Sequence, residues 1–116
     1  MGGEGGAVLD KAVNWEPPPE TDEEVRLWMK SKGWEVMGAE YDFERQTYTW
    51  RVRSVRSGHS PTISISQQIL VDFPAFAILE HLYRLSVADA VRRRPDAVYV
   101  LVQKDLAVTL EEAPGT

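Results

Sequence analysis

The chain has 116 residues, a net charge of −5 and no cysteine. This length suits one domain with its own core, and the lack of cysteine excludes disulfides, Cys-ligated zinc, iron–sulfur clusters and thiol catalysis. The acidity is concentrated, because residues 1–44 carry four basic and eleven acidic groups whereas residues 45–116 carry nine and seven. Nucleic-acid binders usually carry an overall basic domain or stripe, which this composition does not provide.

Two features of the sequence argue against export and membrane insertion. The longest apolar run, Val98 to Val102, is far shorter than the roughly 20 residues that span a bilayer. The first six residues lack the cationic start and the apolar stretch of a signal peptide. We therefore expect a cytoplasmic protein that has no membrane partner.

The composition changes along the chain and predicts one domain between two tails. Residues 1–20 form an acidic segment rich in glycine and proline, and they are predicted to be a flexible tail. Residues 21–112 are predicted to form a single α+β domain. Residues 113–116 complete the chain as a short tail.

The first helix is predicted over Asp22 to Lys32. Thr21 and Glu24 have the spacing of a capping box, in which the hydroxyl and the carboxylate each bond a free amide of the first turn. Gly33 is a typical residue at a helix end. The expected buried stripe consists of Val25, Trp28 and Met29.

An antiparallel hairpin is predicted from Trp34 to Arg56, because apolar and polar residues alternate along both halves. With Arg45 and Gln46 at the tip of the turn, the register follows. The expected opposed pairs are Phe43 with Tyr48, Tyr41 with Trp50, Ala39 with Val52, and, on the other face, Glu40 with Arg51.

Further elements follow the hairpin. Thr62 to Ser66 alternates as a third strand, and Ser66 is a candidate cap for a short turn over Gln67 to Leu70. Pro74 opens a second helix that either continues through Ser86 or breaks there into a short third helix, since Ser86 and Asp89 have the spacing of a capping box. Two strands are expected near the end of the chain, at Val98 to Val102 and at Leu106 to Leu110. The predicted order is α-β-β-β-α(-α)-β-β. It indicates a two-layer α+β domain in which helices cover one face of an antiparallel three-strand meander.

This order resembles two known families at the level of the fold alone. The first five elements look like a double-stranded-RNA-binding domain, a family with a lysine cluster at the start of its second helix. The matching stretch here, Pro74 to Ile78, contains no cation. The longer order resembles the small acidic chaperones of secreted bacterial proteins, which implies dimerisation and the binding of extended segments.

Arginines offer a nucleic-acid alternative, since cations beside aromatic residues can bind phosphates and stack bases. The candidate contacts are Arg51, Arg53, Arg92, Arg93 and Arg94. The alternation places Arg51 and Arg53 away from the aromatic face and beside acidic residues, so a solvated, ion-paired face is the preferred interpretation. The run at Arg92 to Arg94 fits an ordinary helix end.

Catalytic groups do not converge in the sequence. His59 lies in a loop where a general base is conceivable, but no carboxylate lies near it in the sequence. A small enzyme using His59 would therefore need a carboxylate beside this residue in a pocket. We assign no catalytic, cofactor-binding or metal-binding residue, and we expect no cofactor.

The preferred hypothesis is a non-enzymatic protein-interaction or assembly domain, such as a homodimer or a small chaperone or adaptor. Four tryptophans are many for this length, and tryptophan is enriched at interface hot spots. The last hairpin could also pair with another chain through a free strand edge. The candidate partner contacts are Trp15, Trp34, Tyr99, Leu106 and Val108.

Overall fold

The computed structural model describes residues 14–114. It contains four helices: α1 (Pro19–Ser31), α2 (Gln67–Asp72), α3 (Ala75–Arg84) and α4 (Val87–Arg93). It contains five strands: β1 (Trp34–Asp42), β2 (Thr47–Ser54), β3 (Thr62–Ser66), β4 (Val98–Lys104) and β5 (Ala107–Ala113). The predicted α+β class and element order are confirmed, and the additional short helix α2 lies where the sequence suggests a turn.

The strands form one five-stranded sheet in the order β1-β2-β3-β4-β5. Neighbouring strands are antiparallel except for β3 and β4, which pair in parallel. The three helices α2, α3 and α4 make the crossover between these two strands, as a parallel pair requires a long connection. The last hairpin therefore extends the meander, and the sheet is mixed.

One face of the sheet carries the core. The buried strand residues on this face include Trp50, Ile63, Tyr99 and Leu101, and all four helices contribute buried side chains to the same cluster. The opposite face carries polar side chains at its centre, where the Thr49 and Ser64 hydroxyls are hydrogen-bonded at 2.7 Å.

Helix α1 begins at Pro19, which is earlier than the predicted start at Asp22. Proline suits the first helical position because its missing amide hydrogen has no partner there, and its fixed φ angle fits the helix. Thr21 is consequently inside the first turn and buried, and it does not form the predicted cap. The helix ends as expected at Gly33, which has a φ angle of +82°.

A hydrogen bond from the β2 indole to the first turn of α1 fixes this helix on the sheet. The Trp50 Nε1 donates to Asp22 Oδ1 at 3.0 Å, while Asp22 Oδ2 accepts from Arg26 Nε at 2.9 Å. Trp50 is fully buried, so its ring N–H requires such a partner. Asp22 in the first turn of α1 therefore satisfies the ring N–H of a core tryptophan.

The hairpin forms, but its predicted register is wrong by two residues. Tyr41 lies opposite Tyr48, and Ala39 lies opposite Trp50. The turn begins at Asp42, whose carboxylate accepts from the Arg45 amide at 3.2 Å, as Asp residues commonly do in turns. Because the shift is an even number of residues, Tyr41, Ala39 and their partners stay on the predicted side of the sheet. Phe43, however, lies in the loop and is 51% exposed.

A bulge in β1 adds a second difference from the predicted register. Val36 lies opposite Val52 and Gly38 lies opposite Arg51, so Met37 is the extra residue. The bulge places Val36 rather than Met37 against the core, and Met37 is exposed. An extra residue reverses the alternation of all positions that precede it in the strand.

The crossover between β3 and β4 agrees with the sequence-based predictions better than the hairpin does. Ser66 caps α2 by accepting from the Gln68 amide at 3.3 Å. Of the two alternatives at Ser86, the structure has the break, because this residue adopts a left-handed conformation with a φ angle of 54° between α3 and α4. The Ser86 side chain makes no capping bond, so the capping box expected there does not form.

Replacing Tyr99 with phenylalanine is expected to destabilise the fold by about 1–3 kcal/mol. The single hydrogen of the Tyr99 hydroxyl is shared between the carbonyl oxygens of Ala90 and Arg94, at 2.8 and 2.5 Å, and ties the end of α4 to β4. Loss of the hydroxyl leaves buried polar groups without their partner. Urea unfolding of Tyr99→Phe measures the effect, and Tyr83→Phe is the matched control because Tyr83 is 82% exposed. Equal stability of the two variants would contradict this account of α4.

Candidate functional site

The tryptophans proposed as partner contacts pack within the chain. Trp15 is half-buried, and its ring lies 5.7 Å from that of Tyr41 and 6.3 Å from that of Tyr48. Trp34 is buried and packs edge-on against Trp28, with 5.4 Å between the ring centroids. Core packing therefore accounts for both side chains. Trp15 also lies in the predicted tail over residues 1–20, of which residues 1–13 fall outside the described part of the chain.

The other three candidate contacts lie on the last hairpin. Tyr99 is fully buried, so it is unavailable to a partner in this fold. Leu106 is 96% exposed in the turn between β4 and β5. Val108 is half-buried on β5 and packs against the border of the core. The structure thus leaves Leu106 and Val108 at the rim of the sheet.

The two edges of the sheet differ in their protection. Strand β1 contains the bulge at Met37 and carries Glu35 and Glu40, and the Trp15 segment packs beside it at Tyr41. Bulges and charged side chains are the usual means by which proteins block edge pairing. Strand β5 pairs only with β4 among residues 14–114, and its register has no irregularity over all seven residues. One edge is therefore blocked and the other is regular.

The arginines of the nucleic-acid alternative fall into two separate groups. Arg51 Nη2 lies 3.4 Å from Glu40 Oε1, and Arg53 Nη2 lies 2.9 Å from Glu35 Oε1, on the face opposite the core. The Arg51–Glu40 pair was expected, although the two residues are diagonal rather than directly opposed. Such exposed pairs contribute only about 0.2–1 kcal/mol each, but they neutralise the positive charge of this face.

The second arginine group lies at the end of α4, on the core side of the sheet. Arg92 pairs with Asp89 one turn earlier, while Arg93 and Arg94 make no ion pair within the described residues. The sheet separates these side chains from Arg51 and Arg53. The two groups therefore do not form one continuous basic surface.

His59 has the carboxylate partner that the sequence does not reveal. Its Nδ1 lies 2.8 Å from Asp96 Oδ2, and the other carboxylate oxygen of Asp96 accepts from the Ser60 amide at 2.9 Å. The two residues are 37 positions apart in the chain, so no local pattern could have paired them. The sequence signal is limited to their position, because each residue lies in the loop that leads into a predicted strand.

The His59 side chain opens into a pocket of about 540 Å³, which we call the His59 pocket. Its lining residues come from the segment between α1 and β1, from the end of β2 and the loop that follows it, and from the end of α4. They comprise Lys32, Trp34, Ser54, Arg56, Ser57, His59, Pro61, Val91, Arg92 and Pro95. The pocket therefore gathers Trp34, His59 and Arg92, which the sequence assigns to three different hypotheses.

The His59 pocket meets the condition that the sequence sets for an enzyme, because a carboxylate lies beside the histidine. Among residues 14–114, no hydroxyl is hydrogen-bonded to His59 Nε2. In the same part of the chain, no group of three or more carboxylates and histidines is arranged to hold a metal ion. None of the described helices has the length and apolar character needed to cross a membrane.

The Ser60 amide and the His59 side chain stabilise the charged form of Asp96. Hydrogen bonds from the Ser60 amide, first, and from the His59 ring hold the pKa of the Asp96 carboxyl below its ordinary value of 3.8. Asp96 thereby links the loop before β3 to the loop before β4, and it orients the His59 ring toward the pocket.

Comparison with known proteins finds no matching family model, curated protein or solved structure for the chain. Function must therefore be inferred from the geometry of the chain itself. The two features that carry an inference are the regular edge at β5 and the His59 pocket.

Asp96→Asn is expected to lower the urea midpoint at neutral pH, and the effect is expected to shrink as the pH falls through the depressed folded-state pKa of Asp96. Because the folded-state pKa of Asp96 is depressed, its contribution is present above the unfolded-state pKa and disappears as the pH falls through the folded-state value. Urea titrations of wild type and variant at several pH values measure the difference. A difference that stays constant across this range would show that the charge on Asp96 does not stabilise the loop.

Proposed function

We propose that this protein is a non-enzymatic assembly domain that forms a homodimer through the outer edge of β5, which pairs with no other strand among residues 14–114. The observation that carries the proposal is the contrast between the two sheet edges. The β1 edge has a bulge, charged side chains and the packed Trp15 segment, whereas β5 is a regular strand of seven residues. Strand β5 also carries two glutamates, but among residues 14–114 it has no bulge and no segment packed over it. A regular edge of this kind is a template for pairing with another strand.

A second copy is the partner that suits this strand best. Antiparallel pairing of two identical edges follows a two-fold axis, which is the commonest symmetry of protein oligomers. Val108 and Leu110 are half-buried and pack against the rim of the core. Since both point to the core face, the same residues of a second copy would extend this apolar strip across the interface.

The charges and apolar residues of β5 are compatible with a register centred on Thr109. If Thr109 lies on the two-fold axis, Val108 faces Leu110 of the second copy and Glu111 faces Ala107. Glu111 is already paired with Lys104 of its own chain at 2.6 Å. In this register no glutamate of one copy faces a glutamate of the other, so like-charge repulsion across the strands is avoided.

The mass in solution tests the proposal. Light scattering coupled to size exclusion is expected to give twice the chain mass of 13.1 kDa. Val108→Lys is expected to weaken the dimer at least about tenfold, because it places a charge at the apolar centre of the interface. Val55→Lys is the matched control, since Val55 is 71% exposed in the loop after β2. A monomeric wild type would refute the proposal.

A cysteine scan tests the register, because the natural chain contains no cysteine. Thr109→Cys is expected to form a disulfide-linked dimer under mild oxidation, since residue 109 faces its own counterpart across the axis. Ala107→Cys lies on the same strand, but its two copies would be about 13 Å apart and should remain unlinked. Efficient linking at residue 107 and not at 109 would overturn this register.

A further inference from the structure

We propose that the His59 pocket binds a small-molecule phosphate ester that has an apolar body. The pocket volume of about 540 Å³ lies within the range of about 300–1,000 Å³ that is usual for small-ligand sites. None of its lining residues belongs to β5. This inference is therefore independent of the proposed dimer.

Three cations from three segments of the chain surround the pocket. Lys32 follows α1, Arg56 lies in the loop between β2 and β3, and Arg92 lies on α4. Lys32 and Arg56 form no ion pair within the described residues, while Arg92 shares its charge with Asp89. The nearby carboxylates, Asp89 and Asp96, are each engaged in an ion pair or hydrogen bond. The rim therefore has an excess of positive charge.

Asp96 fixes the orientation of the fourth polar group, the His59 ring. An ionised carboxylate can only accept, so the 2.8 Å contact assigns the hydrogen to Nδ1 of His59. In this tautomer Nε2 carries a lone pair, so it can accept a hydrogen bond from a hydroxyl of a ligand. Ser54 Oγ accepts from the Ser57 amide at 3.3 Å and helps to shape the same loop.

The arrangement of donors favours phosphate over carboxylate. A carboxylate has two oxygens in one plane, and a single arginine can satisfy both of them. Here the charged groups come from three separate segments, which suits a tetrahedral anion with several oxygens pointing in different directions. The excess positive charge also favours the dianion of a phosphate monoester.

The interior of the pocket indicates the rest of the ligand. Trp34, Pro61 and Val91 are buried side chains that contribute to its lining, and Pro95 lies beside them. Apolar walls with a few convergent polar groups are typical of sites for organic ligands. A free inorganic ion would leave these walls in contact with water, so an ester with an apolar group should bind more tightly.

Binding of phenyl phosphate to the full chain tests the inference. Calorimetry is expected to show phenyl phosphate binding more tightly than inorganic phosphate, and thermal unfolding is expected to shift upward with this ligand. The double variant Lys32→Gln/Arg56→Gln is expected to bind at least about tenfold more weakly, since it removes two charge-assisted contacts. Arg51→Gln/Arg53→Gln removes the same charge from the opposite face and should bind within about twofold of wild type.

Three outcomes would overturn the inference. One is the absence of phenyl phosphate binding at low salt, and another is equal weakening by both double variants, which would indicate a non-specific charge effect. The third is that a single-stranded RNA oligonucleotide binds more tightly than phenyl phosphate, that this binding weakens steeply with salt, and that Lys32→Gln/Arg56→Gln abolishes it. This result would identify the pocket as part of a nucleic-acid surface.

Discussion

The parallel pairing of β3 with β4 is the constraint on which both candidate sites depend. Parallel strands begin at the same end of a sheet, so the loops that precede them lie side by side. The loop before β3 holds His59 and Ser60, and the loop before β4 holds Asp96. Their hydrogen bonds, together with the bond from the Thr62 amide to the Ala97 carbonyl at 3.1 Å, fix this contact. An antiparallel arrangement would have placed these loops at opposite ends.

The same pairing determines which strand becomes the edge. Strand β4 takes the position next to β3, so its hairpin partner β5 has no neighbour on the other side among the described residues. The helical crossover covers the core face, and Tyr99 joins it to β4 through the α4 carbonyls. The buried residues of β4, Tyr99 and Leu101, therefore pack in the core and cannot contact a partner. What remains for a partner is the backbone of β5 and its half-exposed apolar residues.

Local sequence patterns predicted the elements, and their failures have definite physical causes. The alternation of apolar and polar residues, with the turn residues before it, predicted β3 with its observed bounds of Thr62–Ser66. The predicted hairpin register was wrong because the turn starts at Asp42 and Met37 is an extra residue in β1. Neither feature is visible in the alternation of apolar and polar residues from which the register was predicted. The His59–Asp96 contact was beyond local reasoning, because it depends on the direction in which β4 enters the sheet. Thr21 was misassigned because Pro19 provides an earlier start for α1.

The two proposed sites are geometrically compatible. The His59 pocket is bounded by the starts of β1 and β3, the end of β2 and the end of α4, whereas the proposed interface involves the outer side of β5. In a two-fold dimer through β5 the strands of the second copy run in the opposite direction. The two pockets would then lie at opposite ends of one continuous sheet, each open to ligand. Because Trp34 and Val91 contribute both to the core and to the pocket wall, a ligand there would stabilise the core of each copy.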